Sequence, residues 1–375
     1  MNRLNSESGP MQMQDLVELA TSEPPPLRHD ADQILAAGRR VQRRRRVATG
    51  AAAAAVLGVI AAAVAVPALG RGGEEAQLQM GAPENNQPVP ATAEPFTFTF
   101  GGYKVGKLRV AQPVDVSTAY QLASVYADGL TTTDKAADPN APAQDGKKLY
   151  AYLTVYRAGA YDPSKLTGTQ PVTVGGRPGL EAGGPYLGWA TRRTLAWQYN
   201  TDAWAVIQAS SDDAAYPSAK DLRDLAAGLR GQTPVPAKAP VKLGYVPAGY
   251  RLQEASMHAM TGLNGIAAAR DGDYAGLLFS NPALPTTGLT APFGGEDGAD
   301  PKGSFVVYVV PAANSNQQPS PGVTCGNGFC NRWVGGVNIQ VSSGGRLTDT
   351  EMTKVLDGAT LADVKNERTW TPVPA

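Results

Sequence analysis

The sequence predicts an α+β protein in which one transmembrane helix is followed by two tandem copies of a module. Each module is expected to be an antiparallel sheet with a helix at its C-terminal end. Three observations predict this fold. A long apolar segment follows a run of arginines, strand-like alternation begins after a proline-rich stretch, and four short patterns recur in the same order in the rest of the chain.

The apolar segment runs from Val47 to Leu69 without an ionisable residue. As a helix it reaches roughly 34 Å, enough to cross a hydrocarbon core of about 30 Å. Arginines precede it, so the positive-inside rule places the N-terminus in the cytoplasm and the chain after Gly70 outside. The basic cluster beside the segment comprises Arg39, Arg40, Arg43, Arg44, Arg45 and Arg46.

A buried core helix and a cleavable signal peptide are the alternatives for this segment. Ala63-Val64-Ala65 and Val66-Pro67-Ala68 both resemble cleavage sites. However, the segment is longer than the usual signal h-region of about 7–15 residues, and a long polar region precedes it. We therefore favour a retained helix and a single-pass protein of the cell membrane.

Charge is distributed unevenly, although the net charge of the 375 residues is zero. The basic cluster lies beside the predicted membrane segment, where it would meet anionic lipid headgroups at about 1 kcal/mol per arginine. No groove-reading motif accompanies it. Membrane lipid, and not nucleic acid, is therefore the predicted partner of the cluster.

Residues 1–46 form the predicted cytoplasmic tail. Met13, Leu16 and Val17 fall on one helical face, and Pro24-Pro25-Pro26 stops that helix from continuing. The face is too small to bury against itself. Two interpretations stay open: these three residues dock a cytoplasmic protein, or the tail is only a topological anchor.

Residues 70–95, rich in Gly and Pro, predict a linker, and residues 231–240, which read GQTPVPAKAP, predict a second one. Between and after them we expect extracytoplasmic module 1 at residues 96–230 and module 2 at residues 241–365. Module 1 opens with Phe96 to Phe100 in strict alternation, which is typical of a half-buried strand.

Helix caps and recurring patterns define the modules further. Ser218 with Asp221, and Thr348 with Glu351, have the spacing of capped helix starts. Four segments of module 2 match segments of module 1 in the same order. They are Gly249 to Leu252 with Gly102 to Val105, Phe305 to Val309 with Leu149 to Leu153, Val323 to Gly326 with Val172 to Gly175, and Ile339 to Ser343 with Ile207 to Ser211.

Cys325 and Cys330 are the only cysteines. Outside the cytoplasm such a pair favours a disulfide, which we expect to pin a loop tip. A metal site would need two further ligands, and a redox motif would normally be C-x-x-C. We predict neither a metal nor a cofactor.

Enzymatic chemistry is not predicted. The outer part offers His258 alone for a Ser-His-Asp arrangement, and G-x-S-x-G does not occur. Leu284 to Gly288 has the form of a sortase signal but lies far from the C-terminus, so it predicts a loop. The tryptophans allow core packing or a ligand-binding face; they are Trp189, Trp197, Trp204 and, near the cysteines, Trp333.

The layout of a proline-containing tail, an arginine run, one membrane helix and outer repeats resembles bacterial membrane proteins that partner alternative sigma factors. The segment Val246 to Leu252 is similar to the opening strand of extracytoplasmic α+β modules in such proteins and in envelope lipoproteins. The resemblance implies a sigma factor as a partner of the tail. The chain departs from zinc-containing anti-sigma factors, because its tail has no H-x-x-x-C-x-x-C motif.

The sequence thus predicts a non-enzymatic, single-pass envelope protein. Its outer modules would bind or sense an unknown extracytoplasmic ligand, and its tail would dock a regulatory partner such as a sigma factor. The alternative is an extracytoplasmic interaction or lipid-handling protein whose tail acts only as an anchor.

Overall fold

A computed structural model of the chain describes residues 87–127, 148–186, 189–211, 218–257, 274–293, 301–312, 315 and 317–374. These residues form mostly antiparallel sheet, with two nine-residue helices, α1 (Ala219–Ala227) and α2 (Asp349–Asp357). The predicted α+β class is therefore wrong, because strands build most of the described fold. No helix within these ranges is long and apolar enough to cross a membrane, so a transmembrane helix is not part of the described fold. The predicted tail and membrane segment lie outside the described residues.

The strands of the first half are short near its start and long near its end. They are β1 (Thr97–Phe100), β2 (Tyr103–Val105), β3 (Leu108–Val110), β4 (Asp115–Ser117), β5 (Tyr120–Ala127), β6 (Lys148–Tyr156), β7 (Gln170–Val174), β8 (Arg177–Tyr186), β9 (Trp189–Asn200) and β10 (Ala203–Ser211).

The strands of the second half follow helix α1. They are β11 (Gly231–Pro236), β12 (Lys238–Ala239), β13 (Val241–Leu243), β14 (Arg251–Met257), β15 (Ala275–Ser280), β16 (Ser304–Pro311), β17 (Val323–Gly326), β18 (Phe329–Val334), β19 (Val337–Ser342), β20 (Ala359–Leu361) and β21 (Thr371–Pro372).

One sheet runs through both halves, where the sequence predicts two separate sheets. Its main path is β17-β18-β19-β16-β15-β14-β4-β5-β6-β10-β9-β8-β7, and β3 extends the edge of β5 beside β4. The halves join where β4 pairs with β14 in antiparallel register. We call this pairing the seam. The two tandem sheets of the fold prediction are thus a single sheet.

The register is continuous across the seam, so residues of the two halves that face the helices lie on the same side of the sheet. In the row through Val116 and Ala255, most residues are apolar, and they face the two helices. The neighbouring row passes through Asp115 and Ser256 and faces away from the helices. Because side chains alternate between faces along a strand, this register fixes the face of every residue near the seam.

Two apolar cores lie on the helix face, and β1 belongs to both. Phe96 and Phe98 pack in the core of the second half with α2, whereas Phe100 packs in the core of the first half with α1. Between them, Gln121 Nε2 donates to Thr99 Oγ1 at 2.7 Å, and Gln121 Oε1 accepts from the Thr99 amide at 2.7 Å. The segment that contains β1 therefore contributes side chains to both cores on the helix face of the sheet.

Residues 231–240, whose composition predicts a linker, form two short strands in the structure. They form β11, which pairs with β1, and β12, which pairs with β21. Gly231 N donates to Gln87 O at 2.8 Å, and Ala237, which is fully buried, donates to Phe96 O at 2.8 Å. Both ends of this segment are therefore anchored in the structure, whereas Thr233 to Pro236 are exposed. The module boundaries at 96–230 and 241–365 stay a prediction.

Both helices begin at the predicted caps. Ser218 Oγ accepts from the Asp221 amide at 3.1 Å at the start of α1. Thr348 and Glu351 form a reciprocal capping box at the start of α2. These starts depend on residues three positions apart, which is why the sequence predicts them correctly.

Candidate functional site

A buried acidic cluster lies at the seam, on the sheet face away from the helices. Asp115 of β4 is opposite Ser256 of β14, and Glu254 of β14 is opposite Ser117 of β4. The two carboxyl groups are therefore diagonal neighbours on one face, within side-chain reach of each other. Asp115 is 2% exposed and Glu254 is 7% exposed. We call these two residues, with Tyr120, the acidic cluster.

Tyr120 of β5 closes the cluster from the side. Its hydroxyl donates a hydrogen bond to Glu254 Oε2 and accepts one from the Phe293 amide at 2.8 Å. Its ring packs edge-on against Tyr156 and Phe293, with centroids 5.8 Å and 5.2 Å away. Tyr120 itself is 1% exposed. The carboxyl of Glu254 is therefore held beneath a packed aromatic side chain.

Burial dominates the electrostatics of the acidic cluster. It raises the pKa of Glu254 well above its ordinary value, and the nearby Asp115 raises that pKa further. The hydrogen bond from Tyr120 acts in the opposite direction, because it stabilises the carboxylate. Burial also raises the pKa of Tyr120. The tyrosine thus remains a hydroxyl donor, while Glu254 retains a proton far above the pH at which an exposed carboxyl loses it.

An aromatic cluster continues this face beyond Tyr120 and carries a loop. Tyr156, Tyr161 and Trp204 pack with Leu289 on the sheet face away from the helices. Leu284 to Gly288 forms a loop, as the sequence predicts, and the Leu284 amide donates to Gln253 Oε1 at 3.0 Å. The loop therefore leads into Phe293, the residue whose amide holds Tyr120.

Cys325 and Cys330 form the predicted disulfide. They are directly opposite each other in the hairpin of β17 and β18. The next pair along, Gly326 and Phe329, is the one that adjoins the turn. The turn uses Asn327 and Gly328, both with positive φ, as a two-residue hairpin requires. Asp349 lies close to both sulfur atoms, but bonded cysteines offer no thiolate for a metal ion.

The tryptophans do not form one ligand-binding face. Trp197 is 2% exposed in the core beside α1, whereas Trp204 lies on the other face with the aromatic cluster. Trp333 is half-buried in β18. The side chain of Trp189 lies outside the described residues. The basic cluster and the proposed docking residues Met13, Leu16 and Val17 also lie outside them.

Sequence reasoning missed the acidic cluster. The available signal was an acidic residue inside each of two short strands, at Asp115 in PVDVS and at Glu254 in RLQEASM. A carboxyl in a strand interior usually faces water. Only the pairing of β4 with β14 buries both residues, and that pairing is not visible in either segment alone.

Comparisons with known proteins do not identify the chain. No protein family and no curated protein matches it. Among solved structures it is similar to the crystal structure of MucB in complex with MucA(peri), with 11% sequence identity over 72% of this chain and 93% of that chain. The TM-score is 0.20. A likeness of this size assigns neither a ligand nor a partner to this chain.

Proposed function

We propose that this protein is a non-enzymatic, extracytoplasmic sensing protein whose two halves are coupled through the acidic cluster at the seam. The observation that carries the proposal is the placement of Glu254 and Asp115. Two carboxyl groups lie side by side in the only strand pairing that joins the halves within the main sheet path. A change in their charge acts directly on that junction.

Repulsion between the two carboxylates supplies the response. While the pair holds a proton, it carries at most one negative charge, and the Tyr120 hydroxyl stabilises it. When both groups ionise, two like charges share a buried site, which costs free energy because little solvent screens them. The seam is then expected to loosen. Tyr120 would respond first, since its hydroxyl contacts Glu254, and Phe293 next, since its amide donates to that hydroxyl.

The disulfide supports a location outside the cytoplasm, because reducing conditions in the cytosol keep such pairs as thiols. The enclosure of Glu254 supports a non-enzymatic role. A general acid must reach its substrate, whereas this carboxyl is 7% exposed and held by a buried tyrosine. The docking of a cytoplasmic protein, such as a sigma factor, on Met13, Leu16 and Val17 stays a prediction.

Hydrogen exchange of the full chain tests the proposal. We expect the amides of β4 and β14 to lose protection between about pH 6 and about pH 8, after correction for the intrinsic rate. The amides of β16 and β19, which pair far from the seam, serve as the internal control. In Glu254→Gln the protection of the seam should be the same at both pH values. Seam protection that is independent of pH in the unmodified protein would refute the proposed coupling.

A further inference from the structure

An open cleft of about 370 Å³ lies at the edge of the sheet formed by β7, β8 and β9. Glu181, Gly183 and Arg193 line it, together with Gly168 from the segment before β7. Glu181 is opposite Leu195, a core residue, so this cleft is on the helix face. It is far along the sheet from the acidic cluster, which lies on the other face at the seam.

Among the residues that the structure describes, none forms a hydrogen bond with the Arg193 side chain in the cleft. Its single ion contact in the described part of the chain is to Glu181 Oε1, with the nitrogen 4.0 Å away, which is too long for a hydrogen bond. Its Nε atom is buried and unpaired. Arg157 and Arg332 also have an unpaired Nε, but their terminal nitrogens donate to backbone carbonyls. Within the described ranges, Arg193 makes no such bond.

Glu181 does not satisfy Arg193 because it is committed to the helix. Its Oε2 accepts from Arg223 Nη1 of α1 at 2.8 Å. The three side chains therefore carry two positive charges and one negative charge, a net charge of one. The Nε donor of Arg193 is buried without a partner, while the side chain as a whole is 33% exposed, so an anionic acceptor can approach the guanidinium from the cleft. One net positive charge matches a single carboxylate better than a phosphate dianion.

We propose that this cleft binds a carboxylate group through Arg193. The planar guanidinium can donate two parallel hydrogen bonds to a carboxylate. The small residues beside it leave room: a Cβ built on Gly183 would lie 3.5 Å from Arg193 Nη1, in van der Waals contact with the guanidinium. The carboxylate could belong to a free organic acid or to an acidic residue of a peptide, and the chemistry of recognition is the same for both.

Calorimetric titration of the full chain with two probes distinguishes these sources. The probes are succinate and a short peptide with one glutamate, N-acetyl-Ala-Glu-Ala-amide, and the peptide with glutamine in place of glutamate is the uncharged control. We expect at least one acidic probe to bind with a dissociation constant below about 10 mM, and the uncharged peptide not to bind. Inorganic phosphate should bind more weakly than the better acidic probe.

The matched pair Arg193→Gln and Arg192→Gln locates the binding. Both variants lose one positive charge from β9, but neighbouring residues of a strand face opposite sides, so Arg192 lies on the face away from the cleft. We expect Arg193→Gln to weaken binding by about tenfold or more and Arg192→Gln to leave it nearly unchanged. Gly183→Val should also weaken binding without changing the charge.

Three outcomes would overturn the proposal. They are the absence of binding of both acidic probes at about 10 mM, equal binding by the unmodified protein and Arg193→Gln, and equal losses in Arg193→Gln and Arg192→Gln. Thermal unfolding of each variant checks that the fold is intact. None of these outcomes depends on the acidic cluster, so the proposed sensing function is tested separately.

Discussion

Replacing Glu254 by glutamine should remove much of the pH dependence of stability between mildly acidic and mildly alkaline conditions. Glutamine has nearly the same size and shape, and its carbonyl oxygen can still accept the hydrogen bond from the Tyr120 hydroxyl. It cannot ionise. The substitution therefore changes the charge behaviour of the seam while it preserves the packing of a side chain that is 7% exposed.

The size and sign of the effect follow from the pKa of Glu254, which rises from 4.5 to about 8 in the folded protein. Between these values the folded state holds a proton that the unfolded state has released. The free energy of unfolding is therefore greatest below the unfolded pKa and falls as the pH rises through the folded pKa, by on the order of 1 kcal/mol per pH unit. The nearby Asp115 adds to the rise in the pKa of Glu254 that burial causes.

Urea unfolding of the full chain at a series of pH values measures the effect. Between about pH 6 and about pH 8, the unmodified protein should lose roughly 2 kcal/mol relative to Glu254→Gln. Asp357→Asn is the matched control, because the same replacement of a carboxyl by an amide is made at an exposed residue at the end of α2. Tyr120→Phe should move the fall to higher pH, because the lost hydrogen bond had lowered the pKa of Glu254.

Parallel stability profiles for the unmodified protein and Glu254→Gln would refute the reasoning, since they would mean that Glu254 does not change its protonation on unfolding. A profile for Tyr120→Phe shifted to lower pH would contradict the assigned direction of the Tyr120 hydrogen bond. Equal effects of Glu254→Gln and Asp357→Asn would attribute the change to net charge and not to the buried site.

Two further predictions concern the disulfide and residues 231–240. Cys325→Ser should lower the free energy of unfolding by only about 2 kcal/mol, because the disulfide closes a short loop. The unmodified protein, denatured without a reductant, should show no free thiol. Limited proteolysis of the full chain should not cut first within residues 231–240, because β11 and β12 are paired and Ala237 is fully buried. An early cut there that yields two resistant fragments would show that the halves are separable.

Local features were predictable because they depend on neighbouring residues. The caps at Ser218 and Thr348 and the disulfide between Cys325 and Cys330 are each set within a few positions. The matched segments also lie on corresponding strands. In the first half β6 precedes and β10 follows the edge hairpin of β7 and β8; in the second half β16 precedes and β19 follows the edge hairpin of β17 and β18. The joining of the halves was not predictable in this way, because β4 and β14 are distant in sequence.

The strands within residues 231–240 were not predicted, for a different physical reason. Glycine and proline are typical of linkers because both weaken strands. Proline cannot donate a ladder hydrogen bond, and glycine has no side chain to pack. Strand β11 pairs with β1 alone, so its other edge makes no ladder in the described structure, and Pro234 and Pro236 are tolerated there. Composition describes which hydrogen bonds a segment can make. It does not show whether another strand, here β1, is available on the side where the donors remain.

The acidic cluster follows from the approximate symmetry of the seam. Residues 115–117 read Asp-Val-Ser and residues 254–256 read Glu-Ala-Ser, and the two segments pair antiparallel about the central pair Val116 and Ala255. A local two-fold axis through that pair relates Asp115 to Glu254. In an interface of this symmetry a group near the axis meets its own counterpart. An acidic residue at this position in both strands therefore produces two carboxyls that are diagonal neighbours on one face, and their mutual repulsion favours a shared proton. If either strand carried a neutral residue there, the seam would keep its hydrogen bonds but lose its sensitivity to pH.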